Sequence, residues 1–249
     1  MSTTIPMSPE IRGRVRVEQG AKRIRGFVGG ELVVETFTPL LVWEKPQYPT
    51  YYFPIADVRT ELLSAEGRTS HSPSRGDAEV MTLTAAGRER TGAALRYDRS
   101  PFESLWETIR FDWDALDAWF EEDEQVFTHA RDPYTRVDIL PSSRRVRIEA
   151  HGVVLAESDR PTLLFETGLP VRYYLPKTDT RMDLLAPTDA VTHCPYKGEA
   201  EYWALNHDDE IGDVAWSYRT PLPESERIAG LVAFYPGKVD VFVDGALVS

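Results

Sequence analysis

Short runs rich in β-branched and aromatic residues recur along the whole chain, separated by polar stretches that carry glycine or proline. That is the pattern of strands and turns. Lys22–Val28 and Glu31–Glu35 flank Gly29-Gly30, a two-residue connection suited to a type I′ hairpin because glycine accepts positive φ. Arg144–Ala150 and Val153–Glu157 repeat the design around His151-Gly152. Leu40–Glu44, Thr50–Phe53, Val58–Leu63, Val80–Thr84 and Ala93–Tyr97 read as further strands. Leu231–Tyr235 and Lys238–Val243 flank Pro236-Gly237 and predict another hairpin. Asp114–Glu122, acidic and without a glycine turn, predicts a short helix. The fold class expected is mainly β, antiparallel, with little helix.

The pattern occurs twice. A shift of 122 positions aligns Arg23–Glu79 with Arg145–Glu201 without a gap, and nineteen of the 57 pairs are identical. Average composition would give roughly one in twenty. The matched pairs include Glu44/Glu166, Tyr51-Tyr52/Tyr173-Tyr174, Asp57/Asp179, Arg59/Arg181, His71/His193 and Gly76/Gly198. Farther on, Ala94-Leu-Arg-Tyr97 resembles Ala215-Trp-Ser-Tyr218, and Ile109-Arg-Phe111 resembles Val232-Ala-Phe234. The chain is therefore a tandem of two homologous domains, residues 1–128 and 144–249, joined by a polar linker at 129–143 that contains Pro133 and Pro141. Fused homologous domains often reproduce an ancestral homodimer contact. A pseudo-twofold arrangement is expected, and with it a monomer that carries its own dimer partner.

Composition narrows the class. The 249 residues carry a formal charge of −12, which argues against non-specific binding to nucleic acid or anionic membrane. Ile228–Tyr235 is among the longest apolar runs, far short of the roughly 20 residues that cross a bilayer as a helix. Met1–Glu10 shows no basic region followed by an apolar core, so no secretory leader is expected. Cys194 is the one cysteine. It allows no intrachain disulfide and fits a reducing cytoplasm.

The runs His193-Cys-Pro-Tyr-Lys-Gly-Glu-Ala-Glu-Tyr-Trp203, Arg172-Tyr-Tyr-Leu-Pro176, Asp213-Val-Ala-Trp-Ser-Tyr218 and Gly230-Leu-Val-Ala-Phe-Tyr235 resemble the bacterial domain-of-unknown-function family 427. That family is sometimes labelled a nucleotidyltransferase. Trp113–Glu124 and Arg131–Asp138 resemble segments of its two-domain form. The resemblance implies a β-tent in each domain, two antiparallel sheets leaning together over a cleft, and no established activity. Where the second domain has Cys194, Lys197, Tyr202 and Trp203, the first has Ser72, Arg75, Val80 and Met81. The second domain thus holds the fuller motif.

Cys194-Pro-Tyr-Lys-Gly198 reads as a turn, since Pro195 fixes φ and Gly198 permits a positive one. It also reads as a thiol that Lys197 could activate, with His193 beside it. Glu166, Tyr173, Tyr174, Arg181 and Asp179, all repeated in the first domain, read either as packing and ion pairs or as the wall and polar groups of a pocket. Because successive strand residues face opposite sides, at most one of Tyr173 and Tyr174 can line such a pocket. Trp203, Trp216 and Phe234 suit a core or a pocket wall. One cysteine and five histidines, with no CxxC or HxxxH, do not assemble a zinc site. No GxxxxGK[ST], GxGxxG or GxSxG occurs, so neither a nucleotide cofactor nor a serine nucleophile elbow has support. Asp112-Trp-Asp114 lies in an acidic run that reads better as a solvated face than as a magnesium site.

The function these residues support best is binding of a small molecule in a cleft of the second domain, lined by Glu166, Tyr173, Tyr174, Arg181, Lys197, Tyr202 and Trp203. No metal or cofactor is called for. The alternatives are an enzyme, with Cys194 or Glu166 as the reacting group and Lys197 or Arg181 stabilising negative charge, and a protein-interaction module.

Overall fold

The computed structural model describes residues 15–206 and 210–249. Met1–Glu10, where a leader was sought, lies outside the described residues. The chain divides into two compact units, Met1–Asp132 and Pro133–Ser249.

The first unit contains β1 (Arg16–Gln19), β2 (Ile24–Val28), β3 (Glu31–Thr36), β4 (Leu40–Trp43), β5 (Thr50–Pro54), β6 (Leu63–Ser72), β7 (Gly76–Ala85), β8 (Arg88–Arg99), β9 (Thr108–Phe111), β10 (Ala118–Glu121) and β11 (Glu124–Val126). They form a seven-stranded sheet, β1-β4-β5-β9-β8-β7-β6, and a four-stranded one, β11-β10-β2-β3. The named pairings are antiparallel throughout. Gly29 and Gly30, at φ +56° and +83°, make the left-handed turn between β2 and β3 that the Gly-Gly pair predicts.

The second unit contains β12 (Val137–Pro141), β13 (Val146–Ala150), β14 (Val153–Ser158), β15 (Thr162–Glu166), β16 (Arg172–Tyr174), β17 (Leu185–Cys194), β18 (Gly198–Leu205), β19 (Asp213–Ser217), β20 (Val232–Phe234), β21 (Asp240–Val243) and β22 (Ala246–Leu247). Its four-stranded sheet is β14-β13-β21-β22. The runs β12-β15-β16 and β20-β19-β18-β17 are joined by reciprocal backbone hydrogen bonds between Leu175 and Val232, each 2.8 Å. The order is that of the first unit, strand for strand.

Alternation along the strands makes each large sheet apolar on both faces. In the first unit Tyr51, Phe53, Met81, Leu83, Ile109 and Phe111 meet Ile24, Val28, Val34 and Trp119 of the small sheet. The intervening Tyr52, Ala78 and Tyr97 build a second cluster with Val42 and Leu105 on the other face. The second unit repeats this. Leu175, Trp203, Ala215 and Phe234 pack with Val146, Ile148 and Val241, and Tyr174, Tyr202, Trp216, Tyr218 and Ile228 cluster on the opposite face. Each large apolar side chain fully removed from water in this way stabilises the fold by about 1.5–3 kcal/mol.

Four local expectations are corrected. Asp114–Glu122 is not a helix: a single 3-10 turn, Trp113–Ala115, leads into β10, which pairs with β2 along Ala118–Glu121. Tertiary pairing overrides the helical composition. The linker expected at 129–143 includes β12, whose Val137–Pro141 pair with Glu166–Thr162. Its twin is β1, 122 positions earlier, so the repeat begins before its first identical residues. The strands around Pro236-Gly237 do not pair as a hairpin, because β20 joins β19 and β21 joins β13. Val58–Leu63 is likewise mostly a 3-10 turn, Thr60–Leu62, with Val58 and Arg59 bonded to Ile55 and Val33. Among the described residues the longest helical segment is Pro223–Ile228, and no helix is long and apolar enough to cross a membrane.

Candidate functional site

The motif turn Pro195-Tyr-Lys197 connects β17 to β18. Gly198 closes it at φ +95°, and a Cβ there would lie 3.5 Å from the backbone of Thr220 and Leu222. The Leu222 amide donates to the Lys197 carbonyl at 3.1 Å, and Ser225 Oγ donates to the Tyr196 carbonyl at the same distance. So held, the turn sends Lys197 over the end of β15. There Nζ donates to Glu166 Oε2 at 2.5 Å, and both side chains are only 10% exposed.

The aromatic face of the large sheet adjoins this ion pair. Trp216 Nε1 donates to Tyr174 Oη at 3.2 Å. Tyr202 and Thr192 share a hydroxyl hydrogen bond of 2.6 Å. Tyr235 stacks on Tyr202 with centroids 6.4 Å apart and meets Trp216 at 4.5 Å. Arg172 lies over the Trp216 ring at 6.0 Å, within cation–π range. Cys194, a free thiol, packs at the margin of the same cluster. Burial, reinforced by Cys194 and the Glu166 carboxylate, holds the Tyr174 and Tyr218 hydroxyls far above the ordinary tyrosine range. Burial and the hydrogen bond with Tyr202 push Tyr235 up to about 12. These phenols are neutral donors and acceptors at physiological pH.

The first unit builds the same centre with different cations. Tyr52 Oη donates to Glu44 Oε1 at 2.8 Å, Arg110 Nε reaches the same oxygen at 3.2 Å, and Arg75 Nη1 contacts Oε2 at 3.2 Å. Arg75 Nε also donates to Tyr97 Oη at 3.4 Å.

A family model described as a domain of unknown function, DUF427, matches residues 16–122 and 138–245. Each match fills one unit. The chain belongs to the DUF427 family. It carries two DUF427 copies in tandem, and the matched bounds take in β1 and β12. No curated protein matches the chain at a significant level of similarity.

In the second DUF427 copy, Glu166, Tyr174, Lys197 and Tyr202 share one face of the sheet. The other residues proposed from sequence lie apart. Tyr173 packs against the inter-sheet core, as the alternation requires. Trp203 belongs to that core, with Lys177 Nζ 4.8 Å from its ring centroid. Arg181 is exposed and held by Asp183 at 2.8 and 2.6 Å. Asp179 accepts from Ser158 at 2.8 Å and from Arg160, which bring it down to about 2. It borders an open depression of roughly 690 Å³ with Arg145, Glu157, Asp159 and Arg160. His193 pairs with Glu199 at 3.2 Å. Sequence reasoning did not select Tyr218, Tyr235, Arg172 or Thr192, although the Ala94–Tyr97/Ala215–Tyr218 likeness marks Tyr218 as the twin of Tyr97. Among the described residues no three His, Cys, Asp or Glu side chains are grouped as a metal site would need.

Proposed function

We propose that the second DUF427 copy binds a small molecule bearing an anionic or carbonyl group at Lys197, beside the aromatic face of Tyr174, Tyr202, Trp216 and Tyr235, and does not transform it. The observation that carries this reading is the nearly buried Lys197–Glu166 pair at the edge of that face. Removing two charges from water costs several kcal/mol per ion, and replacing such a pair with apolar residues is often neutral or stabilising. Fold stability alone therefore gives little reason to keep a cation and a carboxylate at this place in both copies. A ligand oxygen that shares the Lys197 ammonium gains a charge-assisted hydrogen bond, and aromatic rings beside it offer apolar area. The acidic total of −12 is no obstacle, because charges beyond about 8 Å are screened at physiological salt. It does favour a chain that works without nucleic acid or anionic membrane, and the lone cysteine suits a reducing cytoplasm. We take the working form to be the monomer.

The test is a thermal-shift screen of carboxylates, phosphates and carbonyl compounds on the full chain, repeated on Lys197→Met and Lys197→Arg. Arg is what the first copy has at this position, so that variant serves as the folded control. The expected result is stabilisation of the wild type and of Lys197→Arg, with affinity roughly tenfold or more lower in Lys197→Met. Equal stabilisation of all three proteins would refute the site.

A further inference from the structure

The first copy has the less complete sequence motif, yet two guanidiniums meet at its buried-face carboxylate where the second copy has one ammonium. Arg75 and Arg110 both hold Glu44, through Nη1 and Nε respectively, so two guanidiniums flank one carboxylate. The three side chains are 14%, 18% and 13% exposed. Arg75 otherwise bonds Tyr97 through Nε, and Arg110 otherwise pairs with Asp112 through Nη1. Neither Nη2 has a partner among the described residues. A guanidinium presents five N–H donors in a rigid fork, so both forks are part-used.

Two half-buried guanidiniums face one half-buried carboxylate, and Asp112, 55% exposed, pairs with Arg110 from the solvent side. In the second copy a single ammonium, that of Lys197, holds Glu166, and Ala233 stands where the first copy has Arg110. Around the two forks lie the Tyr52 and Tyr97 rings, with Leu95 and Phe102 partly buried beside them.

From these observations we infer that the first copy has its own binding site, in which Arg75 and Arg110 receive the carboxylate of a small organic monoanion through the nitrogens that Glu44 leaves free. A phosphate dianion would overfill the centre and face Glu44 at close range, whereas a carboxylate is planar and fits the fork two bonds at a time. The partly buried Leu95 and Phe102 side of the centre takes the apolar remainder of the ligand. This site is independent of the reading given above for Lys197.

The experiment titrates the isotopically labelled full chain with sodium benzoate, and separately with inorganic phosphate, following the guanidinium Nε–H signals of Arg75 and Arg110 by nuclear magnetic resonance. Benzoate is expected to move both signals along a saturable curve, with phosphate at least several-fold weaker. Arg110→Ala copies the residue at the twin position and so suits the fold; it is expected to weaken benzoate binding roughly tenfold or more. Lys197→Met is expected to leave the benzoate curve unchanged. The inference is overturned if the two signals do not respond, if Arg110→Ala binds benzoate as well as the wild type, or if phosphate binds more tightly than benzoate. If Lys197→Met abolishes the benzoate response, the ligand belongs to the second copy instead.

Discussion

Glu166 shows what one residue can and cannot reveal before the fold is known. Its identity with Glu44 marks it as worth keeping, but only the structure supplies its partner, thirty-one positions away at Lys197. A buried carboxylate that loses its cation is left desolvated and uncompensated, a loss of about 3–5 kcal/mol. Lys197→Ala should therefore lower unfolding free energy by roughly that amount in urea, and Lys197→Met combined with Glu166→Leu should recover much of it. If the double variant is as unstable as the single one, the ion pair is not the source of the loss. The buried phenols make a second residue-scale prediction. Tyr52, Tyr174 and Tyr218 have folded-state pKa values raised by burial above the ordinary 10. Above pH 10 the unfolded chain loses phenolic protons that the folded chain keeps, so stability falls as pH rises beyond that point. Phenolate absorbance is expected to show Tyr235 titrating near 12, and the three buried phenols ionising together with loss of the circular dichroism of the fold. Ionisation of all the tyrosines near pH 10 with the fold intact would contradict this burial.

Among the elements, turns announced by special φ values were the most legible. Gly29-Gly30 and His151-Gly152 both predict a left-handed two-residue connection, and all four residues have positive φ. The two turns are not equally tolerant, however. A Cβ on Gly29 would sit 2.7 Å from the Ala86 Cβ, whereas nothing lies within 4 Å of one on Gly30. His151, at the position equivalent to Gly29, already accommodates a side chain at φ +51°. Gly30→Ala should then cost only the left-handed strain of about 1–2 kcal/mol, and Gly29→Ala measurably more, as read from thermal unfolding of the two variants. Equal losses would mean that the neighbouring β7–β8 turn yields freely. The least legible element was β10. It lies in an acidic run that mimics a helix, but Glu121 is a buried strand residue, 5% exposed, held by the Tyr51 hydroxyl and Lys22 Nζ at 2.5 Å each. A carboxylate satisfied by residues seventy and ninety-nine positions away leaves no local trace. For the same reason the face shared by Tyr174, Tyr202 and Trp216 was only half visible: period-two alternation separates Tyr173 from Tyr174, but it does not say which β-strands are neighbours.

At the scale of the whole molecule the repeat is more complete in topology than in sequence. Identity between the copies is concentrated in 23–79 and 145–201, yet the order β1-β4-β5-β9-β8-β7-β6 is matched by β12-β15-β16-β20-β19-β18-β17, and β11-β10-β2-β3 by β22-β21-β13-β14. Topology outlasts identity because a strand needs only alternating burial and a partner, conditions that many sequences meet. It follows that each unit has the makings of an independent domain. The clusters around Leu155, Leu175 and Phe234 and around Tyr174, Tyr202 and Ile228 draw all their residues from 133–249. A segment of that length is well above the roughly 40 residues below which a domain usually needs disulfides, metals or oligomerisation. Residues 133–249 expressed alone should therefore give a β-type circular dichroism spectrum and a single cooperative urea transition, with a slope near that of a domain of this size. Starting the segment at 144 removes β12, which covers the β15 edge along Val137–Pro141, and with it Ile139 from the aromatic cluster. That shorter piece should be less stable by at least about 2 kcal/mol, the scale of losing one buried aliphatic side chain. If the two pieces unfold at the same urea concentration, β12 contributes nothing to the second domain, and residues 129–143 revert to a linker.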